Sequence, residues 1–275
     1  MTLRNLVEGV LSEGPAGRVL RAVPFAERAY GRFFRSKYGR FNYQYGHYRS
    51  YAEAVAAIPR GIAPDWDTDA STEHYLDFAK LPSSYAVLYW ITRALGPGMT
   101  VVDVGGGVGQ MYHAFCEREP LPPGVTWHVI EVAAMAEAGK KRAASEHSAG
   151  LSFGTNLGEV TRCDILHSSG ALQFMPEPIP GLLEQLHSRP RWVIINKIML
   201  TPGPRYWTLH NFGTGISPYE VFNEQTFLEY FASHGYVVRD RWGAPDVVLP
   251  IPFHPEHSVT AATGFCFEAT SCAAG

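Results

Sequence analysis

The stretch Val101-Val-Asp-Val-Gly-Gly-Gly-Val-Gly109 decides the fold. The β-branched run Thr100 to Val104 ends in glycines, and Gln110 to Arg118 continues as a helix. A strand therefore feeds a helix through a loop nearly free of side chains. Outward from that loop the alternation repeats. Thr126-Trp-His-Val-Ile-Glu131 reads as a second strand and the Ala-rich segment Ala133 to His147 as a helix. Leu151 to Phe153, Asp164 to Leu166 and the buried-type run Trp192 to Ile198 read as three more strands. Asn223 to His234 has an Asn cap and a Gly235 stop, and Tyr236 to Trp242 and Thr263 to Ala269 read as two closing strands. This order predicts an α/β chain with a mostly parallel sheet covered by helices on both faces.

The N-terminal third reads differently. Residues 1 to 40 carry a charge of +5 within a chain whose net charge is −3. Leu3, Leu6, Val7, Val10 and Leu11 have helical spacing, and Arg28, Arg32 and Arg35 form a basic stripe beside Phe25, Ala29 and Phe33. Such a stripe is a solvated face, a homodimerisation arm, or a contact with an anionic membrane or an acidic partner. An aromatic stretch, Phe41 to Tyr48, precedes helix-like segments at Tyr51 to Ile58, Glu73 to Lys80 and Ser83 to Leu95, with a loop from Pro59 to Thr72. The expected organisation is a mainly helical cap over 1–95 and a catalytic domain over 96–275. Two connections, Met199 to Phe222 and Gly243 to Ala262, exceed plain turns and are expected as substrate-site loops.

Composition excludes several classes. At 275 residues, 46% hydrophobic and 18% charged, the chain is ordinary for a globular protein. A net charge of −3 argues against nucleic acid as a partner. No apolar run approaches the roughly 20 residues of a membrane span, and Met1 to Gly14 lacks the apolar core of a signal peptide. Cys116, Cys163, Cys266 and Cys272 form no CxxC pair, which fits free thiols in a cytoplasmic protein. His254-Pro-Glu-His257 has an HxxH look, but its proline argues against one helix presenting both rings, so no metal site is expected. There is no GxSxG nucleophile elbow and no GxxxxGK[ST] loop.

In a parallel sheet the ligand sits beyond the carboxyl ends of the strands, and glycines there let it approach the backbone. Glu131, ending the second strand, can accept both hydroxyls of a ribose. Asp103 lies in the first turn of the loop, placed to meet a cationic ammonium directly or through water. The dinucleotide pattern GxGxxG fails in either register, at Gln110 or at Val108, which leaves an NAD-dependent dehydrogenase as the weakest reading. The register that fits is Asp103-x-Gly105-x-Gly107-x-Gly109.

This register resembles motif I of the class I S-adenosylmethionine-dependent methyltransferases. Glu131 matches that family's ribose-binding acid, and Cys163-Asp-Ile-Leu-His-Ser-Ser-Gly-Ala-Leu-Gln-Phe174 resembles its loop after the fourth strand. The resemblance covers about residues 82 to 270. It implies a Rossmann-like seven-stranded sheet with a reversed final hairpin, and S-adenosyl-L-methionine as cofactor. It further implies cofactor contacts from Tyr85, Asn156, Leu157, Ser168 and Ser169, each of which also has a plain packing or turn reading. Tyr48-Arg-Ser-Tyr-Ala-Glu-Ala54, Pro82-Ser-Ser-Tyr85 and Ser217-Pro-Tyr-Glu-Val-Phe222, taken with the glycine loop, look like an uncharacterised bacterial methyltransferase family of surface-polysaccharide and secondary-metabolite gene clusters.

The expected reaction is O-methylation of a small-molecule or saccharide acceptor. The cofactor brings the reactivity, and a hydroxyl acceptor also needs a base. His210, in Trp207-Thr-Leu-His-Asn211, is the expected base, with a loop histidine that only packs as its rival. Tyr206, Trp207, Asn211 and Tyr219 are expected to bind substrate from the same loop, although such aromatics are as common in a packed interface. N-methylation, intramolecular cyclisation with release of methylthioadenosine, and a non-catalytic cofactor-binding partner remain open.

Overall fold

Strands form here where β-branched and aromatic residues run without interruption, and glycines set their ends. In the computed structural model the described residues are 19, 23–36, 43–62, 66–70, 72–73, 84–176 and 178–270. In chain order the elements are α1 (Ala26–Phe34), β1 (Tyr43–Tyr48), α2 (Tyr51–Ala56), α3 (Tyr85–Ala94), β2 (Thr100–Val104), α4 (Gln110–Cys116), β3 (Thr126–Ile130), α5 (Ala133–Ser145), β4 (Leu151–Gly154), β5 (Ile165–Ser169) and β6 (Trp192–Ile198). They continue with β7 (Leu200–Thr201), β8 (Tyr206–Asn211), β9 (Ile216–Asn223), α6 (Glu224–Ser233), β10 (Tyr236–Ala244) and β11 (Ala262–Ala269). The expected arm helix over residues 3–11 and most of the expected helix Glu73 to Lys80 lie outside the described residues.

The chain divides into two compact units, and the boundary expected at residue 95 is not where it falls. One unit is Asp67–Ile198, Gln225–Gly243 and Thr263–Gly275; the other is Met1–Trp66, Met199–Glu224 and Ala244–Ala262. The second unit draws its strands from residues 43–48 and 200–223, so a split at one point in the sequence could not capture it.

The larger unit holds the expected seven-stranded sheet, in the order β10-β11-β6-β5-β2-β3-β4. β4, β3, β2, β5 and β6 run parallel, and β11 returns antiparallel to β6. Both sheet faces are covered, so β2, β5 and β6 read as near-continuous buried runs. Val87 and Ile91 of α3 and Met111 and Phe115 of α4 pack on Val101, Trp127, Val129, Ile165 and Ile194. The chain leaves β2 for β3 on one side and later crosses to β5 on the other. The order therefore reverses between β2 and β5, which is where such sheets bind ligands.

The other unit contains a four-stranded sheet, β1-β8-β9-β7, where an aromatic stretch and a long loop were expected. β1 and β9 flank β8 antiparallel, pairing Gln44 with His210 and Thr208 with Tyr219. Almost every residue of β8 and β9 is buried, so neither strand shows the polar alternation of a half-exposed one. Pro218 also argues against a central strand on sequence grounds, yet it sits opposite Leu209 in the β9 ladder. On one face Tyr43, Trp207, Leu209 and Ile216 pack with Tyr30, Phe34 and Ala54. Among the described residues no helix is long and apolar enough to cross a membrane.

Candidate functional site

The glycine loop is shaped by contacts that only glycine permits. Gly105 has φ +70°, and a Cβ there would lie 2.0 Å from the Cβ of Ala171, just after β5. The loops following β2 and β5 are thus pressed together at the switch point. Gly105 N donates to Ile130 O over 2.8 Å, which ties the loop to β3 as well. Gly107 and Gly109 also have positive φ, and Gly109 forms the left-handed cap from which α4 starts.

Glu131 follows β3 directly. Its Oε1 accepts from Gly107 N and its Oε2 from Val132 N, both over 2.9 Å. Burial pushes its carboxyl up to about 7, against the pull of these two amides toward the ionised form. The carboxylate is therefore fixed against the loop, and the remaining lone pairs of its two oxygens could take hydroxyl donors.

Asp103 does not take the place expected of it. Strand alternation turns its side chain into the core beneath α3 and α4, where it is fully buried. One carboxylate oxygen lies 2.7 Å from His167 Nδ1, and the other accepts from Trp127 Nε1 over 3.4 Å. A Cβ on Gly106 would lie 2.6 Å from the same carboxylate. Asp103 thus braces the loop from beneath rather than reaching out of it. His167 could have been found from the sequence, since it is the polar interruption of a buried strand and lies in register with Asp103.

Other expected cofactor residues are spread around the carboxyl edge of the sheet. Ser168 is buried, with no partner for its hydroxyl. Ser169 accepts from Asn196 Nδ2 over 3.0 Å, and Asn196 Oδ1 accepts from Trp242 Nε1 over 2.9 Å. Asn156 caps a single 3-10 turn by accepting from Gly158 N, and Leu157 is buried in that turn. Tyr85, at the start of α3, is 71% exposed. The chain Trp242–Asn196–Ser169 escaped the sequence reading because nothing local in the sequence brings β10, β6 and β5 together.

The expected substrate residues and His210 lie on strands of the other unit, not on a loop. Asn211 spends its amide locally, donating to Phe34 O over 2.8 Å and accepting from Gly213 N over 3.0 Å. The Tyr206 hydroxyl donates to His257 O, and burial raises its pKa. Trp207 is a core residue beneath the Arg205 guanidinium. Tyr219 packs against His210 at a ring separation of 5.7 Å. Gln44 Nε2 lies 2.8 Å from His210 Nδ1, a partner that no sequence signal announced. His47 stacks on His257 at 3.8 Å, and its pKa is lowered by burial and then by His257 and His254. Among the described residues no group of three potential ligands is placed to hold a metal ion.

Solved structures share this architecture. A Haemonchus contortus N-methyltransferase, solved with phosphomonomethylethanolamine and S-adenosylhomocysteine, is similar at a TM-score of 0.54 and 12% identity, over 75% of this chain and 59% of its own. Magnesium protoporphyrin IX methyltransferase from Synechocystis, solved with S-adenosylhomocysteine, is similar at a TM-score of 0.51 and 12% identity, over 75% of this chain and 97% of its own. The fold is that of the class I methyltransferases. No protein-family model and no curated protein sequence matches the chain. At these identities the likeness concerns the fold, so the site itself must carry the function.

Proposed function

We propose that this chain is an S-adenosyl-L-methionine-dependent methyltransferase acting on a small-molecule or saccharide acceptor. One observation carries the reading. The glycine loop, pinched at Gly105 against Ala171, holds the Glu131 carboxylate through Gly107 N at the switch point of the sheet. The donor set suits a nucleoside. Glu131 would take the ribose hydroxyls, the loop backbone would lie along the amino-acid end, and Ser168 offers a buried unpartnered hydroxyl. When bound, the cofactor supplies a methyl group on a sulfonium. The chain's own work is to hold, orient and exclude water. The stretches that resemble a surface-polysaccharide and secondary-metabolite family support a biosynthetic acceptor.

A specific observation favours a second reading of the acceptor. As its amide is oriented, Gln44 donates to His210 Nδ1. The proton of the neutral ring then belongs on Nε2, which makes His210 a donor there rather than a base. An acceptor that needs no base, such as an amine, fits that tautomer, whereas hydroxyl methylation needs the amide reversed. Isothermal titration with S-adenosylhomocysteine, with NAD as control, tests the cofactor. Micromolar binding to the first alone is expected, and heat from NAD would overturn the reading. His210→Ala should lower turnover and leave S-adenosylhomocysteine binding intact; unchanged turnover would make His210 structural.

A further inference from the structure

Four described non-glycine residues have positive φ: Phe25, His147, Lys197 and Phe253. Lys197, at φ +55°, is the one that lies within a strand. Its cause is visible in the register. β11 pairs Thr263 with Ile198 and Phe265 with Ile195, so Gly264 alone faces both Asn196 and Lys197. That is a β-bulge, a device that re-aims side chains and collects at active sites. Gly264 is required opposite it, because a Cβ there would lie 2.2 Å from the Trp242 indole.

Three contacts pin the bulge. Trp242 donates to Asn196 Oδ1, Asn196 donates to Ser169 Oγ, and Gln173 Nε2 donates to Lys197 O over 3.1 Å. A glycine would adopt this backbone at no steric cost, whereas lysine places a side chain here. The aliphatic stem of Lys197 runs over Gly170, whose added Cβ would sit 3.8 Å from both Lys197 Cβ and Cδ. Gly170 adjoins Ala171, the residue pressed against Gly105. A cation is therefore built into the crevice side of the sheet, and no described carboxylate pairs with it. Glu131 and Asp103 are already engaged, with the loop amide and with His167.

We propose that Lys197 is the specificity-determining residue for an acceptor bearing an anionic group, a carboxylate or a phosphate. The proposal rests on the methyltransferase reading, and the electrostatics follow from it. A cationic sulfonium bound on this side of the sheet is disfavoured by like-charge repulsion from an ammonium that no described carboxylate pairs with, and an anion on the acceptor relieves both charges. The acceptor is then selected partly by charge, independently of which of its atoms is methylated.

The test uses the full chain saturated with S-adenosylhomocysteine and titrated, with NMR detection, against matched probes: benzoate and benzamide, phenyl phosphate and phenol. At least one anion should bind about tenfold tighter than its neutral partner, and which anion does so separates carboxylate from phosphate. Lys197→Met should bring the pair to within about twofold while S-adenosylhomocysteine affinity holds to within about threefold. Lys197→Arg should keep the preference. Equal binding of charged and neutral probes by the unsubstituted chain would overturn the proposal, and so would a preference that survives Lys197→Met. Loss of fold in Lys197→Met, seen as lost cooperativity on melting, is bypassed with Lys197→Gly, which suits the backbone and should also lose the preference. If S-adenosylhomocysteine fails to bind but a Lys197-dependent anion preference persists without it, the cofactor reading alone falls.

Discussion

His167 Nδ1 and Asp103 Oδ1 lie 2.7 Å apart beneath the glycine loop, with both side chains almost wholly buried. Breaking a buried pair leaves an unsatisfied group, and that cost exceeds the net worth of the pair. Asp103→Asn replaces one of the two carboxylate acceptors with an amide N–H, so the variant keeps one acceptor for Trp127 Nε1 and His167 Nδ1. It should destabilise the fold by about 2–4 kcal/mol in urea unfolding, while S-adenosylhomocysteine affinity in the folded fraction changes by less than about tenfold. A hundredfold loss of affinity at unchanged stability would instead place the carboxylate in direct contact with the cofactor.

Gly105 and Ala171 supply a two-residue test of the pinch. Gly105→Ala adds a Cβ that has 2.0 Å where it needs about 3.5 Å. It also strains a backbone at φ +70°. S-adenosylhomocysteine binding should be lost. Adding Ala171→Gly removes the clash but not the φ penalty, so the double variant should regain part of the affinity. Strict additivity of the two changes would show that the contact plays no part.

Glu131 makes a pH prediction whose sign is fixed. Its folded pKa of about 7 lies above the ordinary 4.5. The stability it contributes is thus fully present below about 4.5 and is lost as pH rises through about 7. Ribose hydroxyls favour the ionised carboxylate and lower that pKa. Affinity for S-adenosylhomocysteine should then climb by up to about tenfold per pH unit below 7 and level off above it. Binding near pH 6 should release a proton, which is measurable by titration in buffers of different ionisation enthalpy. Glu131→Gln should bind weakly, with a flat profile.

Trp242→Phe keeps most of the packing over Gly264 but leaves Asn196 Oδ1 without its donor. The expected cost is about 1–3 kcal/mol, or a fall of roughly 3–8 °C in the melting midpoint. Because Asn196 also holds Ser169, the loop after β5 should show faster amide exchange at Ser169 and Gly170 in the variant. Unchanged exchange there would show that the network ends at Asn196.

The seven-stranded sheet was legible because its signals are local: β-branched runs, glycine exits and capped helices succeed one another from Thr100 to Ala269. The Gly105 and Gly109 backbone and the end-of-strand position of Glu131 followed from the same signals. The small sheet was not legible. β8 and β9 are buried on both faces and Pro218 interrupts the run, so periodicity carried no information there. The pairing of Asp103 with His167 was not legible, because the two lie 64 residues apart and only strand register joins them. The bulge at Lys197 depends on Gly264 and Trp242, both from the last two strands, and no window of sequence contains all three.

The pairing of β1 with β8 also orders events on the ribosome. Gln44 and His210 are neighbours in space and 166 residues apart in the chain. At about 5–20 residues per second, β1 waits roughly 8–35 s for its partner to be made. During that wait its row of Tyr43, Gln44 and Tyr45 has no ladder to join, while β2 to β6 are synthesised in one contiguous run. The nascent chain therefore carries an aromatic strand before its ladder partner has been made. Slow codons between residues 48 and 206 should raise its demand for chaperones, whereas the same pauses placed after residue 223 should be harmless to that strand.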